Sequence, residues 1–258
     1  MQTWIQKFCT ALGLVLGLVP MLVAGASVQA EPAPRQRAGG LPYEVLGTEV
    51  HEVEDVVRKR IYPLFVSLPP DYAANPRRRY PVVYVTDADY GFPMLRLIGR
   101  RMNVEGPRIE DFILVGLGYA TGEDGMTSRR RDYTPTPRGP SGAPPGARHG
   151  ESRQSVAHLR DTVLPFVDAR WRTDPARRVY VGHSYGGLLG AEMLLTEPGL
   201  FSGYVLGSPS LWFDKRHLLR ELPARLQKAP PLRARVYLYV GEFEALRRGE
   251  AGYQQQVD

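Results

Sequence analysis

The chain has 258 residues, of which 43% are hydrophobic and 23% are charged, and its formal net charge is +6. This balance is typical of a globular domain with a buried core and excludes a fibrous or wholly disordered protein. The positive charge favours anionic ligands. A nucleic-acid partner is not expected, because the sequence has no long Lys/Arg block, zinc-ligand spacing or RNA-binding signature.

The N-terminus has the pattern of a secretory signal peptide. Lys7 is the only charged residue in the first thirty, an apolar run spans residues 11–24, and Val28 and Ala30 occupy the −3 and −1 positions of a small-residue cleavage site. The run is short for a membrane span, which needs about 20 residues. We therefore expect a signal peptide over residues 1–30, no stable membrane anchor after its cleavage, and a periplasmic or secreted protein.

The single cysteine, Cys9, lies inside the predicted signal peptide. The mature protein would contain no cysteine, which excludes disulfides, thiolate zinc sites and cysteine nucleophiles. Residues 31–42 are rich in Pro, Gly and Arg and are predicted to form a flexible leader. A folded α/β domain is predicted over residues 43–258.

Short apolar runs predict the strands of this domain. Two N-terminal strands are expected at residues 45–50 and 60–68. Continuous β-branched and aromatic runs, typical of strands buried on both faces, lie at residues 80–86, 112–116, 179–181, 204–206 and 236–240.

Helical spacing of apolar residues lies between these runs, over residues 156–166 and 188–195. Strands that alternate with helices predict a mostly parallel central sheet with helices on both faces. Thr134–Gly150 contains five prolines and four glycines and is predicted to be a long surface loop.

The segment with the clearest chemical meaning is G-x-S-x-G at Gly182, Ser184 and Gly186. A sharp strand-to-helix turn exposes a serine hydroxyl at the end of its strand, and glycine on either side avoids clashes in that turn. The N–H of Tyr185, at the start of the following helix, is placed to stabilise an oxyanion. A chance glycine-rich turn is the alternative, but an apolar run before the motif and a helical pattern after it favour a nucleophile at Ser184.

The region from about residue 62 to 244 resembles the bacterial "putative esterase" group of α/β-hydrolases, which includes esterase D-like enzymes and periplasmic siderophore esterases. The resemblance is carried by Leu68-Pro69-Pro70-Asp71-Tyr72, Tyr80-Pro81-Val82-Val83-Tyr84, Arg130-Arg131-Asp132-Tyr133-Thr134-Pro135, Val181-Gly182-His183-Ser184-Tyr185-Gly186-Gly187 and Ser208-Pro209-Ser210-Leu211-Trp212. It implies ester hydrolysis through an acyl-enzyme, with no metal or other cofactor.

The resemblance also implies further site residues. The second oxyanion donor would be the Asp89 N–H, although this chain has Asp87-Ala88 where the family usually has Asp-Gly; the two aspartates are expected to hold their loop by local hydrogen bonds. The acid of the triad would be Glu244, with Glu242 as the alternative, and a solvated glutamate after a strand is the simpler interpretation.

Two residues of the quoted motifs are candidates for substrate binding. Arg131 could bind an anionic substrate, or equally form an ion pair with Asp132. Trp212 could form a wall of the substrate pocket, or equally pack in the core.

The family's catalytic histidine is expected after one further strand, but no histidine follows Glu244 in this sequence. The five histidines present are poor substitutes: His183 is expected to point away from the hydroxyl, His158 and His217 to lie on helix surfaces, and His51 and His149 to lie near the N-terminal strands and in the long loop. We therefore expect a C-terminally truncated or frameshifted product that lacks the last strand and helix and exposes the 236–240 strand as a sheet edge.

Four functional hypotheses follow. The first is an exported serine esterase acting on a small ester such as a siderophore lactone. The second is a homologue that binds the ligand without turnover, the third a transacylase that uses the same serine, and the fourth a fragment without function. The sequence identifies neither the ester nor the oligomeric state.

Overall fold

The structure is a computed structural model that describes residues 36, 38–228 and 233–244. The predicted signal peptide, Cys9 and part of the predicted leader lie outside the described residues. Within the described ranges, no helix is both long and apolar enough to span a bilayer.

In the part of the chain that the structure describes, seven strands form one sheet: β1 Glu49–Asp55, β2 Arg60–Ser67, β3 Tyr80–Val85, β4 Ile113–Leu117, β5 Thr173–His183, β6 Gly203–Gly207 and β7 Arg235–Tyr239. The helices are α1 Ala88–Met102, α2 Gly125–Asp132, α3 Ser152–His158, α4 Leu164–Arg170, α5 Tyr185–Thr196 and α6 Phe213–Lys228. A π-helical turn joins α3 to α4 at Leu159–Val163, and a 3₁₀ turn follows β7 at Glu242–Glu244.

The strand order is β1-β2-β4-β3-β5-β6-β7. Strand β1 is antiparallel to β2, and β2 is antiparallel to β4. The remaining pairs are parallel, so β4, β3, β5, β6 and β7 run in one direction. The predicted α/β-hydrolase architecture, a mostly parallel sheet with helices, is confirmed. Because the strands are parallel, the segments after β3, β5, β6 and β7 all lie at one edge of the sheet.

Side chains of β3 alternate between two apolar cores, one on each face of the sheet. Tyr80, Val82 and Tyr84 belong to the larger core, which also contains side chains of α5. Val85 belongs to the smaller core with Ala88 and Phe92 of α1. Helices α1 and α5 thus cover opposite faces of the sheet, and both begin at its carboxyl edge.

The first strand differs from the prediction, because it spans Glu49–Asp55 rather than residues 45–50. The turn after it sets the register: the Asp55 carboxylate accepts the backbone N–H groups of Val57 and Arg58, and Lys59 has a positive φ of 53°. Pairing of Val53 with Tyr62 then buries Val53 and leaves Val50 exposed. The predicted loop 134–150 contains no regular element, as expected.

Candidate active site

Ser184 lies in a sharp turn between the last residue of β5 and the first residue of α5, with φ 56° and ψ −116°. Such a conformation costs a non-glycine residue about 1–3 kcal/mol. A Cβ at Gly182 would come within 2.4 Å of the Gly186 carbonyl oxygen, and one at Gly186 within 2.3 Å of Thr86 Oγ1. The glycines of the motif are therefore required by close approach of the backbone, and the strained turn is the geometry that the motif predicts.

The loop after β6 holds this turn in place. The Ser184 N–H donates to the Gly207 carbonyl at 2.9 Å, and the Ser184 carbonyl accepts the Ser210 N–H at 3.1 Å. The two hydroxyl oxygens, Ser184 Oγ and Ser210 Oγ, lie 3.3 Å apart. Ser184 is thus anchored through its backbone, and its half-buried hydroxyl faces the β6–α6 loop.

A cleft of about 440 Å³ opens beside Ser184 at the carboxyl edge of the sheet. Its lining includes His183, Ser184, Ser208, Ser210, Trp212 and Glu244. The structure therefore brings three of the predicted site residues, at positions 184, 212 and 244, to one cavity.

Glu244 is held at the rim of the cleft. Its carboxylate accepts the Ser208 hydroxyl at 2.7 Å, and the Ser208 hydroxyl in turn accepts the Gly241 N–H at 3.4 Å. Glu242, the alternative acid, is exposed and is not part of the cleft lining.

Trp212 both forms a wall of the cleft and packs against neighbouring aromatic side chains, the two roles that the sequence left open. Its half-buried indole lines the cleft. It also packs against the rings of Tyr185 and Phe213, with centroid distances of 6.1 and 6.3 Å. One face of the ring is therefore used for packing while the side chain still borders the cavity.

The two predicted oxyanion donors lie in the first turns of two adjacent helices. Tyr185 is the first residue of α5 and Asp89 the second of α1. The helices meet where Gly186 packs on Thr86 and Asp87. Backbone N–H groups of a first turn point out of the helix N-terminus and carry partial positive charge, so both helices direct favourable potential for an anion toward this junction.

Asp87 has partners different from those expected. Its side chain is fully buried, accepts the Tyr119 hydroxyl at 2.8 Å and Arg129 Nη2 at 3.3 Å, and forms an ion pair with Arg129 at 3.1 Å. The expected local bond, from the Thr86 hydroxyl, is present but long at 3.4 Å. Burial, and then the Asp87 charge, raise the pKa of Tyr119, so this phenol keeps the proton that it donates.

Arg129 is a residue near the site that the sequence analysis missed. Its guanidinium pairs with Asp87, donates to the His183 carbonyl at 3.4 Å and lies 5.6 Å from the centre of the Tyr185 ring. Burial disfavours its charge, but Asp87 together with neighbouring tyrosine hydroxyls outweighs burial, and the pKa of Arg129 is raised. The arginine therefore links the β3–α1 loop to the backbone that carries Ser184.

The sequence feature that could have indicated Arg129 is the run of three arginines at positions 129–131. The phase of α2 decides which of them faces Ser184. That phase is set where the Asp124 carboxylate accepts the N–H groups of Met126 and Thr127 at the start of the helix.

Arg131, the predicted substrate-binding arginine, does not reach the cleft. Its side chain is 3% exposed and contacts Asp132 at 2.9 Å and Glu123 at 2.5 Å. These contacts are the structural alternative that the sequence allowed. They belong to a buried group of charges, called the ion cluster below, which is formed by Asp55, Arg58, Arg60, Glu123, Arg131, Asp132 and Glu151.

Among the described residues, His183 is the one histidine that lines the cleft, and it is exposed. His51 packs edge-on to Trp171, His149 lies against Phe213, and His217 contacts Glu221 at 3.3 Å. None of these three is part of the cleft lining.

The expectation that His158 lies on a helix surface is wrong. Its side chain is only 8% exposed, with Nδ1 3.7 Å from Asp55 and the ring 5.5 Å from that of Tyr62. The β1–β2 hairpin covers this face of α3, an arrangement that helical spacing alone does not reveal.

Comparisons with known proteins agree with this geometry. A family model described as "Putative esterase" matches residues 57–254. The ferri-bacillibactin esterase of Bacillus subtilis is 30% identical over 213 residues, which are 78% of this chain and 72% of the relative.

A siderophore enterobactin esterase of Emericella nidulans is 32% identical, and the match covers 54% of this chain and 49% of the relative. An IroE-like serine hydrolase from Shewanella oneidensis, a solved structure, superposes with a TM-score of 0.64 and is 30% identical. That superposition covers 74% of this chain and 60% of the hydrolase. The chain thus spans about half to three quarters of the length of these proteins.

The family match covers most of the chain, and the fold, the strained serine turn and the relatives all agree with it. The chain belongs to the "Putative esterase" family of α/β-hydrolases, which are carboxylic ester hydrolases.

Proposed function

We propose that this protein is an exported serine esterase that cleaves siderophore-type esters through an acyl-enzyme on Ser184. The observation that carries the proposal is the strained backbone at Ser184, which places a half-buried hydroxyl in a cleft immediately before the N-terminus of α5. Relatives named as siderophore esterases support the substrate class. The positive net charge of the chain suits an anionic ligand of this kind.

In the proposed reaction, Ser184 Oγ attacks the ester carbonyl carbon while its proton passes to a base. The carbonyl oxygen becomes an oxyanion that accepts hydrogen bonds from the backbone N–H groups of Tyr185 and Asp89. Collapse of this intermediate expels the alcohol and leaves an ester of Ser184, which water then hydrolyses. Trp212 borders the substrate, and Glu244 is the proposed acid that orients the base.

The described residues do not provide a well-positioned base for Ser184. The exposed His183 is the one imidazole in the described cleft lining. Loss of one member of a serine triad reduces the rate by about 10⁴–10⁶-fold. Binding of the ester without turnover is therefore the second candidate function. It is favoured because the described cleft lining contains Ser184 but, as its one histidine, only the exposed His183.

Turnover and binding can be measured on the same variants. We expect the 258-residue chain to hydrolyse p-nitrophenyl acetate and a catecholate trilactone slowly. Ser184→Ala should lower this rate further, but by much less than the about 10⁴–10⁶-fold seen with an intact triad, because the members of a triad act as a unit and the base is already poorly supplied. The matched control is Ser210→Ala, which removes the neighbouring hydroxyl and should retain the rate within about tenfold. Equal rates for the unchanged chain and Ser184→Ala would exclude the nucleophile, and saturable trilactone binding without turnover would establish the second function.

Export is tested separately by N-terminal sequencing of the protein recovered from the periplasm of an expressing bacterium. A mature N-terminus at Glu31 is expected from the cleavage pattern at Ala30. Retention in the cytoplasm with an intact N-terminus would contradict export without affecting the proposal on Ser184.

A further inference from the structure

A second cavity, of about 250 Å³, lies away from the cleft at the far end of α1. The end of β2, the last two turns of α1 and the start of β4 surround it. Its apolar lining includes Leu68, Phe112 and Leu114. The volume lies just below the range of about 300–1,000 Å³ that is usual for small-molecule sites, so the cavity suits a small ligand with an apolar body.

A buried arginine borders this cavity. Arg96 is only 8% exposed, donates from Nε to the Ser67 hydroxyl at 3.1 Å, and also donates to the Leu46 carbonyl. Both acceptors are neutral. A buried charge is usually paired with an opposite charge, so Arg96 is unusual among the buried arginines of this protein, such as Arg131.

A second arginine, the exposed Arg100, also lines the cavity. Terminal nitrogens of Arg96 and Arg100 lie 3.6 and 3.9 Å from the position that a Cβ on Gly47 would occupy. The two guanidinium ends therefore lie near each other at Gly47, which borders both arginines but is not part of the cavity lining, and burial, then the Arg100 charge, lowers the pKa of Arg96. Like charges brought together in this way repel unless an anion lies between or beside them.

The described residues do not supply that anion. Over residues 38–228 and 233–244, neither Arg96 nor Arg100 has a carboxylate within 4.0 Å, whereas Arg101, the next residue, pairs with Glu105 at 3.3 Å. Asp111 lines the same cavity, but its carboxylate is directed to Arg78, at 3.5 Å. The cavity is therefore lined by two arginines without a carboxylate partner among the described residues, by Asp111, which pairs with Arg78, and by an apolar wall.

We infer that this cavity is a binding site for a small monocarboxylate with an apolar body, its carboxylate held by Arg96 and Arg100 and its body packed on Leu68, Phe112 and Leu114. A guanidinium provides paired donors that match a carboxylate, and removal of the apolar part of the ligand from water adds to the affinity. The site does not depend on Ser184, because the cavity shares none of its lining with the cleft.

The inference is tested by calorimetric titration of the Ser184→Ala protein with octanoate, so that hydrolysis plays no part. We expect saturation at one site, at least about tenfold weaker binding of octanamide, which lacks the charge, and at least about tenfold weaker binding of acetate, which lacks the apolar body. No saturation by octanoate, or equal binding of octanamide, would overturn the proposal.

Variants on α1 locate the site. Arg100→Gln is expected to weaken octanoate binding about threefold and Arg96→Gln about tenfold or more, since hydrogen bonds to charged groups are stronger when buried. Arg101→Gln removes the same charge from the same turn outside the cavity and should leave the affinity unchanged. If Arg96→Gln does not fold, as judged by circular dichroism, the Arg100→Gln and Arg101→Gln pair decides, and equal affinity for these two would place the binding elsewhere.

Discussion

Arg129 and Arg131 are two residues apart on α2, yet they belong to different regions of the molecule. Arg129 pairs with Asp87 and donates to the carbonyl of His183, next to the strained turn at Ser184. Arg131 lies in the closed ion cluster under the β1–β2 hairpin. The same residue type in the same run thus has a different environment, because successive side chains point in different directions around a helix.

The charges of the two regions therefore have different roles, one in stability and the other in positioning the site. In the ion cluster Asp55, Arg58, Arg131 and Asp132 are buried and each charge has a partner. Removal of one of these buried charges leaves another uncompensated, so the free energy of unfolding should fall. Near Ser184 the charges hold two loops that border a cavity, so their removal is expected to affect chemistry more than folding. The following changes test that division, beginning with the largest expected effect.

The largest effect is expected for Asp132→Ala in the ion cluster. Asp132 accepts hydrogen bonds from Arg131, Arg58 and the hydroxyls of Tyr62 and Ser128, and it is 3% exposed. Loss of this carboxylate leaves two buried guanidinium groups short of a partner, so the free energy of unfolding should fall by about 3–5 kcal/mol. Urea denaturation followed by circular dichroism measures it.

The matched control is Asp161→Ala, which breaks a pair with Arg160 in which both side chains are largely exposed. Little change in stability is expected there, because exposed ion pairs contribute little. If both variants unfold at the same urea concentration, the ion cluster does not stabilise the fold in the way described.

A smaller effect, on catalysis, is expected for Arg129→Gln. Without this guanidinium, the Asp87 loop and the His183 carbonyl lose the group that links them. The two proposed oxyanion donors would then shift relative to Ser184, and kcat/KM on p-nitrophenyl acetate should fall roughly ten- to hundredfold.

Its control is Arg130→Gln, which removes the same charge from the next position of the run. That variant should keep kcat/KM close to the original value. The loss of stability in Arg129→Gln should also remain below that of Asp132→Ala. An Arg129→Gln protein as active as Arg130→Gln would show that Arg129 does not position the site.

The smallest effect concerns pH and the buried His158 beside the ion cluster. Burial lowers the pKa of His158 and Arg58 lowers it further, while Asp55 and Asp132 act in the opposite direction. The folded protein thus binds this proton less readily than the unfolded chain does, so the stability contributed at neutral pH is lost as the pH falls below about 6.5.

The free energy of unfolding of the unchanged chain should therefore fall between about pH 7.5 and about pH 5.5, and that of His158→Gln should fall less. His51→Gln, at the half-exposed histidine of β1, is the control and should behave like the unchanged chain. An equal decrease in all three proteins would assign the pH dependence to other groups.

Strands and loops could be predicted where the local residue types determine the backbone conformation. Apolar β-branched runs located β3, β4, β6 and β7 to within a residue or two, and proline with glycine marked the loop 134–150. Helix α1 was not predicted, because Gly91, Pro93 and Gly99 suggest breaks in its sequence. Tertiary packing of Ala88 and Phe92 against the sheet overrides these weak local signals.

The sequence by itself determined the strained turn at Ser184, because glycine leaves space for the Gly186 backbone at position 182 and for the Thr86 side chain at position 186. It also determined the parallel α/β architecture, through the alternation of buried runs with helical spacing. Only the tertiary structure decided that Arg129 rather than Arg131 contacts the backbone beside Ser184, that the His158 side chain is buried, and that Arg96 and Arg100 line one cavity. These outcomes depend on helix phase and on contacts between segments distant in the chain, which the local pattern of residues does not encode.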